Sequence, residues 1–123
     1  MKKLLIAEDE YGLAEVLKNR FEENGWSVAI TEDGDEILLA LRADTFDLVL
    51  LDLLMPKKSG FEVLEEMRKN PTLTNIPVIV LSNLGEDENV KKALRLGAND
   101  YFVKSQHAIG EILEKVNDFM LTR

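Results

Sequence analysis

Phe46-Asp47-Leu48-Val49-Leu50-Leu51-Asp52 is the most apolar stretch of the chain, and it stops abruptly at an acid. A continuous apolar run of this length fits a strand buried on both faces, as in the interior of a parallel sheet. Met55-Pro56-Lys57-Lys58-Ser59-Gly60, just beyond it, reads as loop, and Ser59 is placed to cap a helix bearing Phe61, Leu64 and Met67. The same alternation of strand and helix extends in both directions. Upstream, Leu4-Leu5-Ile6-Ala7 stops at Glu8-Asp9, and Leu13, Val16, Leu17 and Phe21 then recur at helical spacing as far as Asn24-Gly25. Trp26, Val28 and Ile30 alternate with Ser27, Ala29 and Thr31, the pattern of a half-exposed strand, and Asp33-Gly34 turns the chain into a helix carrying Ile37, Leu38 and Leu41. Downstream, Pro77-Val78-Ile79-Val80-Leu81 is another buried strand, stopped by Ser82-Asn83. Residues 86–96 read as a helix ended by Gly97, with Asp87–Lys91 and Glu88–Lys92 spaced for i,i+4 pairing. Tyr101-Phe102-Val103 forms a last strand before Lys104, and Ile109, Ile112, Leu113, Val116 and Met120 mark the final helix.

Five strands alternating with five helices predict an α/β fold with a parallel sheet covered on both faces. The continuous runs belong in the interior and the alternating second strand at an edge. With right-handed crossovers the favoured order is 2-1-3-4-5, doubly wound. In such sheets the working crevice lies beyond the carboxyl ends of the strands, where the order reverses, here between the first and third.

Composition narrows what that crevice can do. The 123 residues fit one domain, 1–123, with no linker or repeat. The absence of cysteine excludes disulfide frameworks, thiolate metal sites and cysteine nucleophiles. Fifteen Lys+Arg against 23 Asp+Glu give a formal charge of -8, which argues against direct nucleic-acid binding by the surface at large. The apolar runs are too short to span a bilayer, and Glu8-Asp9-Glu10 arrives before a signal-peptide core can develop. A cytoplasmic domain without membrane insertion is expected.

The first strand ends in Glu8-Asp9, the third in Asp52, the fourth in Ser82 and the fifth in Lys104, all converging on one edge of the sheet. Carboxylates held close repel one another, and a cation neutralises them. An all-oxygen set without Cys or a nearby His suits Mg²⁺, which takes one or two carboxylates and keeps positions open for water and phosphate.

These residues, with Met55-Pro56, Gly60 and the run Gly97-Ala98-Asn99-Asp100-Tyr101, resemble a response-regulator receiver domain of two-component signalling over the whole chain. The resemblance implies the single-domain, flavodoxin-like arrangement of a chemotaxis-type receiver. It implies that Asp52 is the phosphoacceptor, and that Asp9, Asp52 and the backbone carbonyl of Leu54 bind Mg²⁺ while Glu8 acts largely through water. Ser82 would bond the phosphoryl group and Lys104 would pair with it. Tyr101 would be the switching aromatic, turning inward as Ser82 moves. The donor would be a sensor histidine kinase or a histidine phosphotransfer protein. The output would be an effector protein read through the surface of the fourth helix, fifth strand and fifth helix, where Lys91, Lys92 and Arg95 form a small basic face. Such a protein is a switch that supports its own phosphorylation and autodephosphorylation, not an enzyme acting on metabolites. Since no effector domain lies within the 123 residues, a stand-alone regulator is expected, with truncation at Arg123 as the alternative.

Two departures from the family pattern stand out. Ser105 follows the lysine where the family usually has proline in a cis peptide, and a cis bond before a non-proline residue costs about 2.5–4 kcal/mol; a trans Lys104–Ser105 bond and an altered loop are expected. Asn83 stands where a small residue is usual, and is expected to slow dephosphorylation by crowding water. His107 is read as a surface or first-turn residue and Trp26 as edge-strand packing. The rival readings are a docking module that works without phosphorylation, a flavodoxin-like carrier of FMN, and a phosphatase with an Asp nucleophile. Glu8-Asp9-Glu10 would repel the flavin phosphate, and Leu54 occupies the place of the phosphatase's second acid.

Overall fold

The computed structural model describes residues 2–122; Met1 and Arg123, where truncation was the alternative, lie outside the described residues. The elements run β1 (Lys3–Ala7), α1 (Tyr11–Glu23), β2 (Ser27–Thr31), α2 (Gly34–Ala43), β3 (Leu48–Leu51), α3 (Gly60–Lys69), β4 (Val78–Ser82), α4 (Asp87–Arg95), β5 (Asp100–Val103), a 3₁₀ turn (Lys104–Gln106) and α5 (Ile109–Leu121). All five strands are parallel, in the order 2-1-3-4-5 that the hydrophobic pattern predicts.

Successive residues of a strand point to opposite faces, and the core divides accordingly. Leu5, Val49, Leu51, Val78 and Val80 pack with Ile37, Leu41, Val63, Leu64, Met67 and Ala93, so α2, α3 and α4 cover one face. Leu4, Ile6, Leu50, Ile79 and Leu81 pack with Leu17, Phe21, Ile112 and Val116, so α1 and α5 cover the other. On α1 the buried stripe is Ala14, Leu17 and Phe21, while Val16 lies on the flank, 43% exposed. Helical spacing could not separate the two, since Val16 and Ala14 both lie within one turn of Leu17. Trp26 sits just before β2, edge-on to Phe21 with its indole N–H donated to Asn117 Oδ1 at 3.2 Å, and so joins α1 to α5.

β3 begins at Leu48 rather than Phe46; Asp47 instead donates its N–H to the Lys3 carbonyl and accepts the Lys3 N–H on its side chain, which sets the register before the strand starts. Ser59 caps α3 as predicted, in a reciprocal capping box with Glu62. Near the end of α3, Arg68 donates to the carbonyls of Thr74, Ile76 and Gly97 and to Asn99 Oδ1, clasping the loops on either side of β4 and α4. α4 is docked more lightly, with Ala93 its one buried residue and no side-chain cap. The i,i+4 pairs allowed on α4 do not form; the Lys92 ammonium lies instead 4.3 Å from the centre of the Phe61 ring. No described helix is long and apolar enough to cross a membrane.

Candidate functional site

Parallel pairing in register brings the carboxyl ends of β1, β3 and β5 to one edge. The Asp52 N–H donates to the Ala7 carbonyl at 3.0 Å, so the residue after β3 is fixed against the end of β1. From the other side, Gly60 packs on the same spot: a Cβ there would stand 2.3 Å from the Asp52 carbonyl oxygen and 2.7 Å from Leu53 Cα. The contact explains why glycine opens α3. The α3 N-terminus closes directly onto the backbone of Asp52, with the Gly60 N–H donated to the Leu53 carbonyl.

Glu8, Asp9 and Asp52 each bring a carboxylate oxygen within 4.8 Å of the others. Lys104 enters from the end of β5, its Nζ 2.6 Å from Glu8 Oε1, 3.0 Å from Asp52 Oδ2 and 3.6 Å from Glu10 Oε1. Glu8 and Asp52 are 2% and 4% exposed, and the Lys104 side chain 10%, whereas Asp9 faces solvent. The second Glu8 oxygen accepts the Glu10 N–H, so both its oxygens are held by protein. Asp52 Oδ1 accepts the Leu54 N–H at 3.2 Å. Burial pushes the Glu8 carboxyl above the ordinary carboxylate range, against the pull of Lys104. Burial also works to lower the Lys104 pKa, but hydrogen bonds to Glu8 and Asp52 outweigh it and the ammonium is held above its ordinary value. Lys104 is therefore a fixed cation.

Three clustered carboxylates against one ammonium leave two negative charges, and their donors are all oxygens. This set could hold a divalent metal ion. The cleft above it has a volume of about 210 Å³ and is lined by Asp9, Glu10, Asp52, Leu54, Asn83 and Lys104.

The structure thus brings together Glu8, Asp9, Asp52 and Lys104 as the sequence predicts. Ser82 is placed differently. It ends β4 beside the site but is fully buried, its hydroxyl accepting the Leu84 N–H, and the exposed Asn83 lines the cleft instead. Tyr101 is half-buried, packed against the core beneath α2, α3 and α4, with its hydroxyl donated to the Leu84 carbonyl. Burial raises its phenol pKa, and a side-chain hydrogen bond with Ser82 opposes the shift. Ser82, Leu84 and Tyr101 form one connected group. The Lys104–Ser105 peptide is trans as expected, and residues Lys104–Gln106 form a 3₁₀ turn. His107 follows that turn, its ring 5.4 Å from that of Phe102 and paired with Glu111, away from the acids.

Two features were missed in the sequence. Glu10 shows in the sequence only as a charge, yet it faces Lys104 and lines the cleft. Gly34, read as a turn residue, lies against the loop after Asp52. In the sequence it shows only as the residue after Asp33, which looks like ordinary helix capping.

Comparison with known proteins agrees with this geometry. The family model described as the response regulator receiver domain matches residues 4–117. The chain is 40% identical over 104 residues to a transcriptional regulatory protein CpxR homolog of Haemophilus influenzae, covering 85% of this chain and 44% of the relative. It is 38% identical over 103 residues to a probable transcriptional regulator ycf27 of Cyanophora paradoxa, covering 84% of this chain and 42% of the relative. The chain therefore spans about two-fifths of the length of these curated relatives. Among solved structures, the receiver domain of the Francisella response regulator 1452 superposes with a TM-score of 0.89 at 34% identity, covering 100% of both chains.

Proposed function

The chain belongs to the response regulator receiver family, and on that premise we propose that it is a phosphoryl-accepting switch whose acceptor is Asp52. The donor is a phosphohistidine on a sensor histidine kinase or a histidine phosphotransfer protein, with small acyl phosphates as substitutes. The observation that carries this reading is the placement of Asp52 on the Lys104 ammonium, 3.0 Å away, beside two further acids at the mouth of a small cleft.

In the transfer, the P–N bond breaks as a bond forms between phosphorus and an Asp52 oxygen. The electron pair returns to the imidazole, which leaves neutral when its other nitrogen carries a proton. The transition state is loose, so the protein's contribution is positioning and charge. Asp52 is held in place by the Ala7 carbonyl, the Leu54 N–H and Gly60. Lys104 follows the charge from the carboxylate to the phosphoryl oxygens. Asp9, Asp52 and the Leu54 carbonyl would hold Mg²⁺, with Glu8 acting through water because both its oxygens are already engaged. Bound there, Mg²⁺ supplies neutralisation of the phosphoryl charge. Ser82 reaches the new phosphoryl group only by leaving its covered position. That motion pulls on Leu84 and Tyr101, and so alters the α4–β5–α5 surface offered to an effector protein. We place this switch in the cytoplasm, and assign it no turnover of a metabolite beyond its own phosphorylation and dephosphorylation.

The test is acetyl phosphate or beryllofluoride with Mg²⁺, read by intact mass and by amide NMR shifts in wild type and Asp52→Ala. With acetyl phosphate, wild type gains one phosphoryl group and Asp52→Ala gains none; with beryllofluoride, the amides around the site shift in wild type and not in Asp52→Ala. Modification of both, or of neither, refutes the assignment.

A further inference from the structure

Residues 53–59 carry the backbone around the phosphoacceptor, and the first residue of α2 packs directly on their backbone. A Cβ on Gly34, the first residue of α2, would stand 2.4 Å from Lys58 Cβ, 2.7 Å from the Lys58 carbonyl oxygen and 3.0 Å from Lys58 Cα. Real Cβ atoms essentially never approach this closely, and the atoms met are backbone and Cβ, which cannot swing aside as a side-chain tip would. The backbone of Gly34 is not at positive φ, so glycine is required here for space and not for conformation. Helix propensity alone would favour alanine at this position.

Two neighbours hold the same junction. The Gly34 N–H donates to the Pro56 carbonyl at 3.4 Å. Asp33, which caps α2 through the Glu36 N–H, also faces the Lys57 ammonium at 3.6 Å. Lys57 itself is at φ +69°, the one non-glycine residue at positive φ among the described residues. Such a conformation persists when its surroundings over-determine it. The loop is thus held at two places: Gly60 packs on Asp52 and Leu53, and Gly34 packs on Lys58.

We propose that Gly34 is a positioning residue for the phosphoacceptor loop: by lacking a side chain it lets residues 56–58 rest on α2, and so fixes where Asp52 and the Leu54 carbonyl stand in the cleft. The proposal rests on the phosphoacceptor reading above. It gives α2, which contributes no group to the site, a direct hold on the site's geometry.

The experiment compares wild type, Gly34→Ala, Lys58→Gly and the double variant by amide NMR shifts, thermal melting and the Mn²⁺ dissociation constant measured with Mn²⁺ alone. In Gly34→Ala the amides of residues 53–60 shift, and Mn²⁺ affinity falls roughly tenfold or more, as when a residue supporting a metal ligand is removed. Lys58→Gly removes the Cβ that would be struck, so the double variant regains at least half of the logarithmic loss. Gly34→Ala binding Mn²⁺ within twofold of wild type, or a double variant no better than Gly34→Ala, overturns the role given to Gly34. A Gly34→Ala chain that does not fold supports the proposal if the double variant folds and binds Mn²⁺, and overturns it if the double variant fails too. A wild type that binds no Mn²⁺ overturns the phosphoacceptor reading, and the role of Gly34 with it. That failure is distinct, because it occurs without any substitution at the α2 contact.

Discussion

Replacing Lys104 by methionine removes the one ammonium that balances two almost fully buried carboxylates. The side chains of Glu8 and Asp52 keep their places, 2% and 4% exposed, but their ion pairs at 2.6 and 3.0 Å disappear. Breaking a buried pair by removing one partner costs about 3–5 kcal/mol, because a charge is left without compensation. The cleft beside them admits water, which places Lys104→Met at the lower end, about 3 kcal/mol without divalent cation. For a domain of this size, that is a fall in melting temperature of about 12 °C. Trp26 reports it well, being buried at the opposite end of the sheet from Lys104.

Two signatures separate this charge effect from lost packing. Burial already holds the Glu8 pKa above the ordinary carboxylate value. Such a group favours the folded state below its unfolded pKa, and that contribution is lost as pH rises through its folded pKa. The penalty in Lys104→Met is therefore larger at higher pH and shrinks as pH falls, opposite to ordinary acid destabilisation. Mg²⁺ restores part of the stability in the variant by supplying the missing charge. Urea unfolding in EDTA and in Mg²⁺, across pH 5 to 8, measures both. A loss under 1 kcal/mol in EDTA, or a loss that ignores both pH and Mg²⁺, refutes the account of Lys104 as the resting counter-charge.

Asn83→Ala opens the cleft wall beside Asp52, and the lifetime of the phosphoryl group, followed by intact mass after donor removal, is expected to shorten severalfold; an unchanged lifetime removes the crowding idea. Ser59→Ala loses the hydroxyl oxygen that accepts the Glu62 N–H and is expected to cost about 1 kcal/mol in urea unfolding, with no change at the acids. Arg68→Ala opens five hydrogen bonds that clasp the loops around β4 and α4, and a cost of about 2–3 kcal/mol is expected. Hydrogen exchange should then show faster opening at residues 95–99, and a uniform change across the sheet would speak against a local clasp. In the unsubstituted protein the amides of α4 should exchange faster than those of α3; the reverse order would contradict the difference in their docking.

The architecture was legible because burial on both faces leaves a direct mark on a strand. Leu48–Leu51 and Val78–Leu81 are uninterrupted apolar runs, and the parallel order places their ends together without further information. The acids and Lys104 were legible for the same reason, since each is the residue at or just past a strand end. What did not show depends on how loops fold back. That Ser82 is covered while Asn83 faces the cleft is set by one backbone turn after β4. Gly34 meets Lys58 across 24 positions, and nothing in either residue's neighbours announces it. On α4 the charge spacing was correct, but Phe61 offered Lys92 a better neighbour than an exposed acid.

These differences bear on how a change at Asp52 can travel. The loop after Asp52 leads into α3, which has a capping box, buries Gly60, Val63, Leu64 and Met67, and is clasped at its far end by Arg68. A displacement at the acid meets high resistance there. On the other side, Ser82, Leu84 and Tyr101 form a connected group next to α4, which has one buried residue and no side-chain cap. Segments with few buried contacts open at lower free energy than well-packed ones. On the phosphoacceptor reading proposed above, a new charge on Asp52 is expected to act first on the lightly docked α4. On the same reading, the close contacts of Gly34 and Gly60 with the segment after Asp52 leave α4 as the more yielding neighbour of the site.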